Sequence, residues 1–270
     1  MKENLEQQWN EAAESWIDFV RTGKDYYRDK LNNPAMFAVL GDISGKKILD
    51  LGCGEGYNTR IMAKKGAHVT GIDFAERMID RAIHTEREGN RIEYYTVDAC
   101  DLHFENSIFD IVTCFMALQD IEPYQEAIRE TYRVLKDGGH FVFVMPHPCF
   151  EKRVVNGTSI GGWEYEENSE GKTENALYYK VDRYFDTRKY TVSWNMKRLT
   201  HHFATTSFHR TITDYANALY DAGFLISKLI EPKPIEEGGS SYLELEKNLR
   251  IPQSIVIEAI KVPMKNEVLP

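Results

Sequence analysis

The sequence predicts an α/β protein whose largely parallel sheet is covered by helices on both faces. Three observations carry this. Strand-like and helix-like stretches alternate from residue 46 to 145. A glycine-dense turn, Gly52-Cys53-Gly54-Glu55-Gly56, joins the first apolar run to an amphipathic helix. The alternation resumes after residue 211. Strand, turn, helix and second strand in that order make a βαβ unit, the crossover that parallel neighbours require.

In chain order, residues 1–40 read as a helical cap. Trp9, Ala12, Ala13, Trp16, Ile17 and Val20 recur at helical spacing on one face. Gly23 interrupts the pattern, and Asn33-Pro34 restarts a helix through Met36, Phe37 and Leu40. Between them, Tyr27 and Arg28 belong either to a plain cap or to a flap facing a ligand. Residues 41–147 form the expected core. Its strands are Lys47–Leu51, His68–Ile72, Ile92–Val97, Ile108–Cys114 and His140–Met145, and its helices Asn58–Lys65, Glu76–Arg87 and Tyr124–Leu135. Gly66 and Gly89 are placed to cap helix ends, and Asp137-Gly138-Gly139 to turn into a strand. Pro146-His147-Pro148 ends this part.

Residues 148–210 break the alternation. A polar loop from Asn156 to Lys172 precedes an aromatic stretch that includes Tyr178, Tyr184, Trp194 and Phe208. Thr191–Ser193 and His202–Ser207 have strand-like composition. With many aromatics and few aliphatics, this stretch reads as an inserted lid and not a separate domain. Residues 211–262 return to the core pattern: a helix from Thr213 through Leu219, then strands Phe224–Leu229 and Ser254–Ile260. One domain with insertions follows from a length of 270 residues.

The net charge of −9 weighs against a nucleic-acid partner. The most basic segment, Arg183 to Arg198, is interleaved with acids and aromatics. No apolar run approaches the roughly 18–20 residues that span a bilayer. The N-terminal MKENLEQQWNEAAESW has no apolar signal region, so a cytoplasmic location is expected. Cys53, Cys100, Cys114 and Cys149 include no C-x-x-C pair, so neither a zinc site nor a disulfide framework is expected, and no metal is assigned. Oligomeric state stays open, a homodimer included.

The glycine turn sets the chemistry. Glycines at alternate positions let the backbone approach a ligand closely, and the helix behind them offers unpaired N–H groups. A dinucleotide cofactor wants G-x-G-x-x-G, but Tyr57 stands at the third glycine position. Asp50, just before the turn, would repel a pyrophosphate and suits a ligand with a positive amine. Asp73 ends the second strand about twenty residues on, where an acid can hold ribose hydroxyls. A ligand with a ribose and an ammonium but no phosphate fits: S-adenosyl-L-methionine.

The stretch ILDLGCGEGYNTRIMAKKGAHVTGIDFAERMIDRAI resembles the first motifs of class I S-adenosylmethionine-dependent methyltransferases, closest to the ubiquinone/menaquinone-biosynthesis-like small-molecule branch. Asp98-Ala99, FDIVTCFMALQDI and YRVLKDGGHFVFVMPHP follow in the family's order, over about residues 35–147 and 211–261. The resemblance implies a Rossmann-like, mostly parallel sheet of seven strands, the last antiparallel. It implies that Asp50, Gly52, Cys53 and Gly54 face the methionine part and that Asp73 holds the ribose. Phe74, Met78, Asp98, Ala99 and Cys100 then surround the adenine, and Phe115 and Met116 lie beside the methionyl chain. Tyr27 and Arg28 are added as the flap. Phe74, Met78 and Phe115 are equally well read as core, and Asp98 as a turn cap.

A sulfonium is already activated, so the protein needs mainly to align an acceptor and exclude water. A hydroxyl or protonated amine acceptor would call for a base. His147 at the carboxyl edge of the sheet and His209 are the candidates; His147, Tyr184, Trp194, His201 and His202 are the candidate acceptor contacts. The strand-4 motif has ALQDI where amino-methylating nucleic-acid and protein-glutamine enzymes have N-P-P-Y. This departure weighs against adenine-N6 and glutamine methylation without separating O-, N- and C-methylation. Methyl transfer to a small-molecule acceptor, on oxygen or nitrogen, is expected. RNA modification, a cofactor-binding module without catalysis, and a nicotinamide oxidoreductase are the rivals, the last disfavoured by Tyr57 and Asp50.

Overall fold

The structure, a computed structural model, describes residues 2–23, 25–86, 92–152, 154–155, 158–166, 175–196, 199–234 and 246–263. Gly89, much of the Asn156–Lys172 loop and the end of the chain lie outside the described residues. The cap consists of α1 (Lys2–Arg21), a π-helical segment over Arg28–Asn32, and α2 (Asn33–Leu40) with Pro34 in its first turn. The core alternates β1 (Lys47–Leu51), α3 (Tyr57–Lys64), β2 (His68–Asp73), α4 (Glu76–Thr85), β3 (Ile92–Thr96), β4 (Phe109–Phe115), α5 (Tyr124–Val134) and β5 (Leu135–Pro146). The insertion holds β6 (Val154–Val155), β7 (Thr158–Ser159), β8 (Gly161–Tyr165), β9 (Ala176–Val181), β10 (Arg188–Trp194) and β11 (Phe203–His209). Then come α6 (Ile212–Ala222), β12 (Phe224–Ile230) and β13 (Ser254–Lys261).

Seven strands form one sheet in the order β12-β13-β5-β4-β1-β2-β3. Only β13 runs against its neighbours, so the expected fold is the one observed. Side chains alternate between faces along a strand. Leu49, Leu51, Phe141, Phe143, Ile255 and Ile257 therefore meet α5 and α6 through Ala127, Ile128, Tyr215 and Leu219. Ile48, Val142, Val144 and Val256 point the other way and meet Met36 and Val39 of α2 and Met62 of α3. Strands buried on both faces explain the nearly unbroken apolar runs. The expected turn at Asp137-Gly138-Gly139 lies inside β5 as a register irregularity, with Gly138 at φ 74.

Chain order reverses at β1, which pairs with both β2 and β4. The carboxyl ends of these strands therefore open a crevice, the place where open α/β sheets bind ligands. The insertion supplies three two-stranded antiparallel ribbons. One of them, β10–β11, packs on α1: Ser15 Oγ donates to His201 O at 2.7 Å, and the rings of Trp16 and Trp194 lie 5.2 Å apart. Arg21 at the end of α1 pairs with Glu55 of the glycine turn at 2.7 Å. Cap and insertion thus close over the crevice from one side. Among the described residues no helix is long and apolar enough to cross a membrane.

Candidate functional site

The site begins with the glycine turn. Gly52, Gly54 and Gly56 have φ of 69, 56 and 80, a region that other residues avoid. At Gly52 there is a second demand: a Cβ there would stand 2.4 Å from the Cβ of Ala117. The turn is pressed against the loop that follows β4. That loop opens with Met116 at φ 54, a strained position for a side-chain-bearing residue, held by Gln119 Nε2 donating to Met116 O at 2.6 Å.

Three carboxylates ring this junction. Asp50 is buried and accepts from Thr59 Oγ1 at 2.6 Å and Thr113 Oγ1 at 2.9 Å. Burial pushes its carboxyl up to about 6, against the pull of those hydroxyls. Asp73 accepts from Gly54 N and Ala75 N, each at 2.9 Å, and so ties the end of β2 to the turn after β1. Its carboxyl is also pushed up to about 6, by desolvation. Asp120 accepts from Ser207 Oγ of β11, and desolvation raises it to about 7. Arg210 fixes the segment around it: Nη2 donates to Ile121 O at 2.6 Å and Glu122 O at 2.9 Å, and the guanidinium lies 4.1 Å over the Tyr124 ring.

Two cavities, of about 400 and about 660 Å³, meet here. Gly52, Gly54, Phe115, Met116 and Asp120 line both, as do Trp9 and Trp16 of α1. Asp73, Phe74, Met78, Asp98, Ala99 and Cys100 line the smaller one. Tyr27, Arg28, Asp50 and Cys53 line the larger. Every residue of the expected cofactor set therefore stands on a cavity wall. Asp98 Oδ1 also accepts from Cys100 N at 2.9 Å, so it caps its turn as well.

The expected acceptor set fares differently. Trp194 lines the larger cavity. Among the described residues no histidine lines either cavity, so the cavity walls lend the expected histidine base no support. His147 is buried with both ring nitrogens engaged: Nε2 lies 3.0 Å from Glu231 Oε1, and Nδ1 accepts from Cys149 N at 3.2 Å. Burial lowers its pKa below the usual value. His209 is fully enclosed between Glu151 Oε2 at 2.6 Å and Tyr184 O at 2.8 Å. His201 and His202 are exposed. Tyr184 accepts from Ile212 N through its hydroxyl at 2.9 Å, outside both cavities.

Sequence reasoning missed Asp120 and Ser207 as a pair, and it read Trp9 and Trp16 only as an apolar face. It did not single out Glu151, Lys152, Trp163 or Lys247, which line the larger cavity. The departure at ALQDI was the one available signal, since it puts an acid in the loop that follows strand β4.

The residues present fit S-adenosylmethionine. Ribose hydroxyls need a carboxylate acceptor, and Asp73 stands on the smaller cavity among Phe74, Met78 and Val97, walls suited to a purine. A sulfonium and an ammonium need negative surroundings, and three carboxylates supply them. The amino-acid carboxylate needs a free donor. Arg28 Nη1 is buried with no hydrogen-bond partner in the wall of the larger cavity, while Nε holds Asp29 at 2.8 Å.

Comparisons with known proteins agree. Residues 49–143 match the model of the methyltransferase domain family. Over 132 residues the chain is 34% identical to a demethylmenaquinone methyltransferase of Clavibacter sepedonicus, covering 49% of this chain and 54% of that protein. It is 39% identical over 104 residues to a ubiquinone biosynthesis O-methyltransferase of Pseudomonas syringae pv. tomato, covering 38% and 45%. The chain thus spans about half the length of the curated relatives it matches. In three dimensions it resembles an S-adenosylmethionine-dependent methyltransferase from Mesorhizobium loti, with a TM-score of 0.68 and 28% identity over 84% of this chain and 96% of that one.

Proposed function

Starting from the class I S-adenosylmethionine-dependent methyltransferase domain that this chain carries, we propose that the protein moves a methyl group to a small-molecule acceptor, on oxygen or nitrogen. One observation supports this above the others. Two ligand-sized cavities share the wall built from Gly52, Gly54, Phe115, Met116 and Asp120. The smaller suits the nucleoside; the larger takes the methionine tail near Arg28 and Asp50, and the acceptor beyond it.

The cofactor, when bound, supplies a methyl group already activated on a sulfonium. The chain's own residues do the rest. Asp73 holds the ribose and Arg28 the amino-acid carboxylate. Trp9 and Trp16 roof the junction and exclude water. Asp120 stands where both cavities meet and takes the proton of a hydroxyl or amine as that atom is methylated. Its raised pKa keeps it a workable base near neutral pH. We read cap, sheet and insertion as one domain with a single site between them.

Calorimetry with S-adenosylhomocysteine tests the reading. The expected result is binding by the wild-type chain and a large loss on Asp73→Ala. Absence of binding, or an affinity indifferent to Asp73→Ala, would sink it.

A further inference from the structure

We propose that Gln119 determines the acceptor class, and that the acceptor is a primary or secondary amine: Gln119 Oε1 accepts one N–H of the reacting nitrogen and Asp120 accepts another. This rests on the methyl-transfer reading and narrows its acceptor from oxygen or nitrogen to nitrogen.

The first support is a shortage of donors. Among the described residues, five side chains of the larger cavity's wall carry a buried polar atom with no hydrogen-bond partner. One atom is a donor, Arg28 Nη1, assigned above to the methionine carboxylate. The other four are oxygens: Asn33 Oδ1, Glu55 Oε1, Gln119 Oε1 and Asn248 Oδ1. Buried polar atoms are rarely left unpaired, so this cavity suits ligands that bring N–H or O–H groups.

The second support is the place of Gln119. It is buried in the loop after β4, next to Asp120. Its amide has one orientation, because Nε2 lies 2.6 Å from Met116 O, a carbonyl that only accepts. The same Nε2 lies 3.4 Å from Asp120 Oδ2, so the amide and the carboxylate stand side by side. Two neighbouring acceptors need two hydrogens from one reacting atom. A hydroxyl has a single hydrogen and would leave one of them unpaired, at the cost of burying it so. An amine has hydrogens for both.

The surroundings suit a cation. Trp16, Tyr190 and Trp194 line the cavity, and Tyr190 stands opposite Ser207, the residue that donates to Asp120. Ammonium groups are stabilised beside aromatic faces. With Glu55 held by Arg21 and Arg60, and Arg28 by Asp29, four carboxylates of the wall (Asp25, Asp50, Asp120, Glu151) remain against two lysines. In the transfer, the ammonium nitrogen gives one proton to Asp120. Its freed lone pair forms the N–C bond to the methyl carbon, and the electron pair of the broken C–S bond stays on sulfur. Gln119 Oε1 keeps a remaining N–H and so orients that lone pair.

The test uses the full chain, saturated with S-adenosylhomocysteine, and three probes on one skeleton: phenethylamine, phenethyl alcohol and phenethyltrimethylammonium, which has the charge but no N–H. Calorimetry is expected to show the amine binding at least about tenfold tighter than either of the others. Gln119→Met and Gln119→Glu both lose the donor to Met116 O, but only the second keeps an oxygen acceptor. Gln119→Met should therefore erase most of the amine's advantage and Gln119→Glu retain it. The proposal is overturned if phenethylamine fails to bind, if the alcohol or the trimethylammonium compound matches it, or if the two variants behave alike. Should Gln119→Met fail to fold, the wild-type ranking of the three probes still decides. Normal S-adenosylhomocysteine binding with no amine preference removes the acceptor class alone; no S-adenosylhomocysteine binding by the wild-type chain removes the methyltransferase reading.

Discussion

Replacing Gly52 by alanine probes the contact on which the site is built. The residue sits at φ 69, where an alanine pays about 1 kcal/mol. Its new Cβ would stand 2.4 Å from the Cβ of Ala117. Carbon atoms in contact need about 3.5–4.0 Å, so the glycine turn and the loop after β4 must part by more than about 1 Å. Overpacking of this kind costs about 1–3 kcal/mol. The sum, about 2–4 kcal/mol, is a large share of an ordinary domain's stability. Gly54 is the internal control. It has φ 56 and nothing within 4 Å of a Cβ, so Gly54→Ala carries only the conformational part, about 1 kcal/mol. Adding Ala117→Gly to Gly52→Ala should return the steric part and leave the conformational one. Urea unfolding followed by tryptophan fluorescence measures all four proteins, and calorimetry with S-adenosylhomocysteine follows. Gly54→Ala should fold nearly normally yet bind poorly, because Gly54 lines both cavities. The reasoning fails if Gly52→Ala is as stable as Gly54→Ala, or if Ala117→Gly rescues nothing.

Further outcomes follow from the carboxylates. Asp120→Asn should lower kcat by about 10²–10⁴-fold and abolish the pH limb near 7 while leaving S-adenosylhomocysteine affinity intact; a lost affinity instead would place Asp120 in donor binding. Asp50 and Asp73, held up to about 6, are partly protonated in the ligand-free protein at mildly acid pH. The ammonium and the ribose hydroxyls favour their charged forms, so S-adenosylmethionine and S-adenosylhomocysteine should both bind more tightly as pH climbs from about 5 to 7. An affinity flat across that window would contradict this. Ligand-free stability runs the other way. A carboxyl raised in the folded state adds stability that is full below about 4 and lost as pH rises through about 6. Wild type should therefore weaken relative to Asp73→Asn across that window, as urea midpoints at several pH values will show. Arg210→Met leaves the Ile121 and Glu122 carbonyls without their donor. It should cost about 2–3 kcal/mol and weaken S-adenosylhomocysteine binding, because the Asp120 segment loosens.

The two halves of the site differ in how far they were legible, and the reason is the range of the interactions that make them. The donor half is local. Asp50, Gly52, Gly54 and Asp73 lie within one βαβ unit, and a glycine spacing with an acid at each strand end constrains geometry by itself. Even there the acid was visible and its partner was not: Thr113 reaches Asp50 from the next strand over, 63 residues away. The acceptor half is made almost wholly of such distant pairs. Asp120 owes its environment to Ser207, 87 residues on, and His209 its silence to Glu151, 58 residues back. A histidine in a sequence advertises proton transfer because its ordinary pKa lies near 7, but that advertisement holds only if a ring nitrogen is free to face the acceptor. In His147 and His209 both nitrogens are taken up by the fold. An aspartate advertises nothing at pH 7 until burial raises it, and burial is a property of the packed insertion. On the proposed reading the base is therefore the residue with the right surroundings and not the one with the right intrinsic pKa, and those surroundings come from the contact between β11 and the loop after β4.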